Sequence, residues 1–381
     1  MSALQSGTTT GTAGTTAARL SGLDGIRGLA ALFVVLHHCW LLSFPGFPAD
    51  NGPAWAGWLL YGHFAVVIFI ALSGFSLSVS PARSGWELGG LRRFARRRAW
   101  RILPPYWAAL AFSLAVAWTL VPQPGQAVPT GKSVLFYGLL VQDVFGSPSP
   151  NGALWSIAVE AQLYFALPLM LLLVRRFGAA AMLGAVTAVV VAVGVLAPHV
   201  AAVQVLLRLT PQFAVLFAVG VVAAGAVRSR GRWPLHWLAL AAVVPVIALI
   251  VVKGSVWTVT NFFWVDLALA PAAALLLAAV TRGRPKPFVA LLDTRPVRKL
   301  GSFSYSLYLV HAPIVVSLNH FVLEPRMAPG VPRFLLLLSL AVPAAVLFAW
   351  GFATLFELPF QRHRSGAALR AAMRERLNRR G

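Results

Sequence analysis

The chain has 381 residues, 59% of them apolar and 11% charged, with a mean hydropathy of +0.77 and a formal net charge of +22. Water-soluble domains carry roughly 45–50% apolar and ~25% charged residues, so this balance excludes a water-soluble globule, whose surface would lack the polar side chains it needs. What remains is an all-α integral membrane protein, and a single Cys excludes internal disulfides, cysteine-based zinc sites and iron–sulfur ligation.

Residues 1–20, rich in Ser, Thr, Gly and Ala, have neither an apolar run nor a cleavable-signal pattern and read as a disordered tail. Targeting then falls to the first spanning helix. Stretches of ~17–25 apolar residues are long enough to cross a bilayer. Ten occur, at about 28–44, 59–80, 102–121, 154–174, 178–197, 203–226, 235–252, 261–280, 300–322 and 334–357. The one long connection, 122–153, is rich in Pro and Gly and offers room for a short re-entrant segment from Ser133 to Val141. A membrane domain over 21–361 and a basic tail over 362–381 complete the predicted organisation, with no extended soluble domain on either side.

Basic residues test this layout. Of the 32 Lys and Arg, 27 fall on segments that share one side of ten alternating spans, and only Lys132, Arg208, Lys253, Arg326 and Arg333 fall on the other. Positive residues mark the cytoplasmic face, which predicts that both termini are cytoplasmic. Trp55, Trp58, Trp155 and Trp257 gather near one predicted boundary and Trp86, Trp100, Trp233 and Trp237 near the other, as interfacial anchors do. Nucleic acid is excluded as a partner because the basic residues are divided among short segments rather than gathered in one domain. The partner implied directly is the lipid bilayer of a cell membrane.

An ionisable side chain within the hydrocarbon costs at least ~2.5 kcal/mol, so each one needs a reason. The candidates are His37, His38, Glu160, Asp266, His311 and Glu357. Arg27 and His38 lie 11 residues apart in the first span. That is about three helical turns and a rise of ~16 Å, so both share a face while His37 points ~100° away. A guanidinium at the mouth and an imidazole near the midplane suit an elongated anionic substrate whose reactive end is drawn inward; a packing histidine is the plainer alternative. Arg98 and Arg101, at the end of an arginine-rich loop running into the third span, share a face and can clamp phosphates, with Arg101 expected at the buried end. The cluster is equally explained as a topogenic and lipid-headgroup patch.

Ser156, Glu160 and Tyr164 are spaced by four and form a polar stripe, with Glu160 able to orient a partner, accept a hydroxyl proton or brace the bundle. Ser304, Tyr308 and His311 repeat the pattern from the opposite side. No third ligand is placed beside the midplane histidines, so no metal is expected. Asp266 and Glu357 lie nearer helix ends and read as structural, and Cys39 as a packing residue. Gly131-Lys132-Ser133 resembles the end of a phosphate loop but lacks the required earlier Gly, since Gln126 stands there.

Five stretches together resemble the acyltransferase 3 family of bacterial integral-membrane O-acyltransferases, which acylate sugars of O-antigens, exopolysaccharides, nodulation factors and macrolide antibiotics. They are Arg27 to His38; Leu72-Ser73-Gly74-Phe75; Arg98-Ala99-Trp100-Arg101-Ile102-Leu103-Pro104; Leu154-Trp155-Ser156-Ile157-Ala158-Val159-Glu160; and Ser304-Tyr305-Ser306-Leu307-Tyr308-Leu309-Val310-His311. The resemblance runs from about Leu23 to Phe360. It implies an acyl-CoA donor such as acetyl-CoA, His38 as the essential intramembrane histidine with Arg27 paired to it, and Arg98 with Arg101 as a double-arginine motif. Val67 and Ala161 stand where the family often has acidic residues. The esterase-like second domain of two-part members does not follow, so the acceptor is expected to meet the acyl group at the membrane domain.

The resulting expectation is acyl transfer, of a short group, from acyl-CoA to a hydroxyl of a carbohydrate or glycosylated metabolite. His38 is the general base. Arg27, Arg98 and Arg101 hold the CoA phosphates, and Glu160 orients the site, or the acceptor, from the other side. Ser73, Ser156, Tyr164, Tyr308 and His311 are substrate-contacting or structural polar groups, and covalent transfer through His38 or Ser73 is an open variant. A proton-coupled transporter or glycan flippase would use the same midplane His and Glu, although no internal repeat or paired helix break supports it. A non-catalytic scaffold recognising acylated lipids is the third reading. The oligomeric state is not legible in the sequence.

Overall fold

The computed structural model of the protein describes residues 21–227, 233–363 and 365–378. The expected tail at 1–20 and the basic residues Arg228, Arg230, Arg232, Arg364, Arg379 and Arg380 lie outside the described residues. In chain order, α1 spans Leu23–Ser43, α2 His63–Arg83 and α3 Leu91–Thr119, with a short 3-10 turn at Gly57–Tyr61 before α2. The short α4 (Gly131–Gly138) and α5 (Gln142–Phe145) precede α6 (Trp155–Phe177), α7 (Ala179–Leu196), the four-residue α8 (Ala201–Gln204) and α9 (Gln212–Ala226). Then follow α10 (Leu235–Thr260), α11 (Phe262–Thr281), α12 (Lys286–Leu292), α13 (Arg295–Ser302), α14 (Ser304–Leu318) and α15 (Val331–Phe352). π-helical turns extend α14 through Leu323 and α15 through Glu357, and α16 (Leu358–Arg362) and α17 (Gly366–Asn378) close the described chain.

Among the described residues nine helices are long and apolar enough to cross a membrane, and a tenth span is made if α8 with its 3-10 extension and α9 count as one. That pair is bent by 50°. The predicted span 203–226 is therefore broken, and the cause is local. Pro211 disfavours helical geometry in the residue before it, and Thr210 stands at φ 47°.

The third predicted span also needs correction. The arginine-rich segment is not a loop: α3 begins at Leu91, because arginine is a good helix former wherever water can reach its charge. At 1.5 Å per residue, α3 is about 43 Å long, well beyond a hydrocarbon core of about 30 Å. The excess length carries the arginines past the apolar part of the bundle.

Close helix crossings set the geometry around the future site. At Gly220 a Cβ would stand 2.1 Å from the carbonyl of Ala71, so α2 and α9 approach backbone to backbone. At Gly301 a Cβ would stand 1.9 Å from the carbonyl of Asp24, which draws α13 against the start of α1. Asp293, just before α13, accepts from the Ser21 hydroxyl and from the Gly22 N–H at 3.0 Å, satisfying a donor that a helix start leaves open.

The connection 122–153 folds back along α3. Trp118 Nε1 donates to the Pro129 carbonyl at 2.8 Å, and Trp107 Nε1 to the Gly138 carbonyl at 3.0 Å. Trp118 and Trp107 are about 16 Å apart along the helix axis, so the chain from Pro129 to Gly138 runs back beside α3. Asn151 locks the far end of this segment, donating to Ser113 Oγ at 3.0 Å and to the Leu309 carbonyl at 2.8 Å. Cys39 is buried in the core, as a packing residue should be.

Candidate active site

Five spans and the end of α15 converge on a cavity of about 290 Å³ at the bundle end where the arginines of α3 project. Asp24 and Arg27 reach it from α1, Ser73 and Ser76 from α2, Arg98 and Arg101 from α3, and Ser156, Glu160 and Tyr164 from α6. α14 adds Ser304, Tyr305 and Tyr308, and the π-turn after α15 adds Glu357.

The cavity brings together three guanidinium groups, of Arg27, Arg98 and Arg101, and three carboxyl groups, of Asp24, Glu160 and Glu357. Arg27 contacts Asp24 at 3.3 Å and donates to Ser76 Oγ at 2.5 Å. Glu160 Oε1 accepts from Ser73 Oγ at 2.5 Å and Tyr164 OH at 2.7 Å. Glu357 is likewise occupied: Oε2 accepts from Ser306 N–H at 3.0 Å and Ser306 Oγ at 2.5 Å, and Oε1 from Gln361 at 2.7 Å. Arg98 Nε is buried and makes no hydrogen bond. A buried donor on a charged group is costly to leave unmade.

Two positions differ from the sequence reading. Arg101 lines the cavity but is exposed, and Arg98 is the more buried of the pair. Glu160 does not face the arginines from the opposite side of the membrane: the stripe Ser156, Glu160 and Tyr164 lines the same cavity as Arg27, Arg98 and Arg101. The stripe on α6 descends far enough to meet the helix ends that carry the positive charge.

The floor of the cavity is Tyr308, which shares a 2.7 Å hydrogen bond with Ser156 and packs edge-on against Phe69 at 5.5 Å between ring centres. Beyond it lie the histidines. The His311 ring centre is 6.0 Å from that of Tyr308 and 4.8 Å from that of His38. His311 Nε2 stands 3.3 Å from His38 Nδ1, joining α14 to α1. Arg27 and His38 thus share α1 as expected, but only Arg27 lines the cavity, with the tyrosine floor between it and His38. His37 turns away and donates Nδ1–H to the Leu59 carbonyl at 2.8 Å.

Sequence reasoning missed a second polar group. Asp266, read as an end-of-helix structural residue, is completely buried and its carboxylate meets His63 Nε2 at 3.0 and 2.9 Å, with Gln212 at 3.4 Å. A buried intramembrane carboxylate demands a partner, and that demand was the signal available for His63. Glu357, also read as structural, is braced by Ser306 but lines the cavity as well. Among the described residues no group of three His, Cys, Asp or Glu side chains could hold a metal ion.

A family model described as an acyltransferase domain, acyltransferase 3, matches residues 20–350. The chain belongs to this family. It is 26% identical over 329 residues to the Bacillus subtilis protein YrhL, provisionally named a peptidoglycan O-acetyltransferase, covering 78% of this chain and 49% of the relative. It is 23% identical over 322 residues to the peptidoglycan O-acetyltransferase OatA of Listeria monocytogenes, covering 77% and 49% respectively. With the acyltransferase MdmB of Streptomyces mycarofaciens the identity is 26% over 320 residues, 78% of this chain and 79% of the relative. The chain thus spans about half the length of the first two. No solved structure matches it. Membership and the apolar helices together make the chain a multi-pass membrane protein of the acyltransferase 3 family.

Proposed function

We propose that the protein transfers a short acyl group from acyl-CoA to a hydroxyl of a carbohydrate or glycosylated metabolite. The observation that carries this reading is the arginine-rich cavity, in which each carboxylate is already engaged and a buried guanidinium nitrogen of Arg98 is not. Phosphates match guanidinium groups in charge and in fork geometry. In this reading Arg27, Arg98 and Arg101 take the phosphates of CoA, and the narrow part of the cavity takes the pantetheine arm, with the thioester against Tyr308. The basic end is cytoplasmic, where acyl-CoA is made, consistent with the bias in positive residues.

His38, just past the tyrosine floor, is the base for an acceptor arriving on its side. The acceptor oxygen bonds to the thioester carbonyl carbon, the carbon–sulfur bond breaks, and the hydroxyl proton passes through His38 to the departing CoA sulfur. Glu160 holds Ser73 and Tyr164 in place and offsets part of the arginine charge when the donor is absent.

Detergent-purified protein tests the donor site directly. Calorimetric titration with CoA should show binding that weakens with added salt. Arg98→Ala should lose ~10- to 100-fold in affinity, the range for a hydrogen bond to a charged group. Equal CoA affinity in wild type and Arg98→Ala would remove this assignment.

A further inference from the structure

We propose that His311 is a positioning residue that holds the His38 ring in the tautomer whose Nε2 is bare, so that Nε2 is the atom that takes the acceptor proton. This rests on the reading of His38 as the base. It names the nitrogen and the residue on another helix that selects it.

The hydrogen-bond partners fix the protons. His311 Nδ1 lies 2.8 Å from the Tyr308 carbonyl and 3.2 Å from that of Leu307. Carbonyl oxygens only accept, so the proton of neutral His311 sits on Nδ1 and its Nε2 is an acceptor. That acceptor points at His38 Nδ1, 3.3 Å away, which also lies 2.9 Å from the Val34 carbonyl. Two acceptors therefore converge on one nitrogen of His38, and the proton of neutral His38 must be there. Its Nε2 makes no hydrogen bond among the described residues, and the ring is partly exposed.

The Val34 contact lies within α1, whereas His311 reaches across from α14 and pins the ring between helices. The arrangement also serves the charged state. When Nε2 takes the acceptor proton, the Nδ1–H and both of its acceptors stay where they are, so no group has to reorient as the imidazolium forms. A carboxylate does the same work for the histidine of a Ser-His-Asp triad, where a wrong tautomer costs about 10⁴ in rate. Here the orienting acceptor is a neutral imidazole, which avoids a second buried charge. The proton then leaves Nε2 for the thiolate of CoA as the carbon–sulfur bond breaks, restoring the starting tautomer.

The test uses full-length protein with ¹⁵N-labelled histidine, in which the His38 ring signals are assigned by their loss in His38→Ala. Wild type should show His38 protonated at Nδ1 and bare at Nε2, and His311→Leu should gain the opposite tautomer. In CoA-thiol release from acetyl-CoA with methyl glucoside as acceptor, His311→Leu should lower kcat at least ~10-fold with KM for acetyl-CoA unchanged. His311→Gln, which keeps an acceptor oxygen, should recover most of the rate. CoA binding and the thermal midpoint of each variant report folding. Ring signals unaltered in His311→Leu, or Nε2 protonated in wild type, would overturn the proposal, and these signals need no acceptor. Full release by His38→Ala would instead remove the base itself, a failure of the earlier reading. An inactive His38→Ala beside a fully active His311→Leu would sink the positioning role alone.

Discussion

Ser73 on α2 and Glu160 on α6 are joined by a 2.5 Å hydrogen bond, and Tyr164 donates to the same carboxylate oxygen from one turn along α6 at 2.7 Å. Glu160 therefore ties two spans together inside the cavity that holds Arg27, Arg98 and Arg101. Glu160→Ala leaves two hydroxyls without their acceptor and should cost ~1–3 kcal/mol, read as a lower thermal midpoint in detergent. Glu160→Gln retains an acceptor oxygen and should recover most of that stability while lowering kcat. A Gln variant as unstable as the Ala variant would show that the negative charge, not the acceptor, holds the site together.

Tyr308 lines the cavity on the side of the His38–His311 pair and is held by its 2.7 Å hydrogen bond to Ser156. Tyr308→Phe loses that bond but keeps the ring, so transfer should persist with a stability loss of about 1 kcal/mol. Tyr308→Ala removes the floor and should let water reach the thioester, raising acetyl-CoA hydrolysis relative to transfer. Measuring free acetate against acetylated acceptor checks the ratio. An unchanged ratio in the Ala variant would remove Tyr308 from this role.

Close backbone approach makes opposite predictions for two glycines. Gly301→Ala places a methyl group 1.9 Å from the Asp24 carbonyl and should destabilise by ~1–3 kcal/mol. It should also weaken CoA binding, because Asp24 and Arg27 share the first turns of α1. Gly184, inside α7, has nothing within 4 Å of an added Cβ, so Gly184→Ala should be neutral or stabilising by up to ~1 kcal/mol. Thermal unfolding of the two variants side by side decides the matter.

Orientation can be read with single reporter cysteines, since the native Cys39 is buried. Arg97 is exposed on the arginine-rich part of α3, and Val128 is 53% exposed in the connection after it. In intact cells a membrane-impermeant thiol reagent should label Val128→Cys and spare Arg97→Cys until lysis. The reverse pattern would place the basic end outside and with it the donor cavity.

Much of this protein is legible in its sequence, because a bilayer imposes a one-dimensional constraint. Any stretch long enough to span must be apolar and helical, so the spans could be placed, and the five family stretches located Arg27, His38, Arg98, Glu160 and His311. Helical spacing also put Arg27 and His38 on one face of α1. Depth and partnership across helices were not legible. Spacing along α6 and α14 could not reveal that Glu160 faces the arginines, or that Tyr308 and Ser156 close a floor between Arg27 and His38. His63 with Asp266, and His311 with His38, are pairs more than 200 residues apart. Such pairs are set by which helix faces meet, and that depends on crossings as local as Gly74 and Gly220 between α2 and α9. The sequence alone determined a polytopic helical protein of the acyltransferase 3 family whose basic residues are strongly biased along the chain. Only the tertiary structure decided which of its polar residues share a cavity and which nitrogen of His38 is left bare, because close packing of side chains from different helices fixes both.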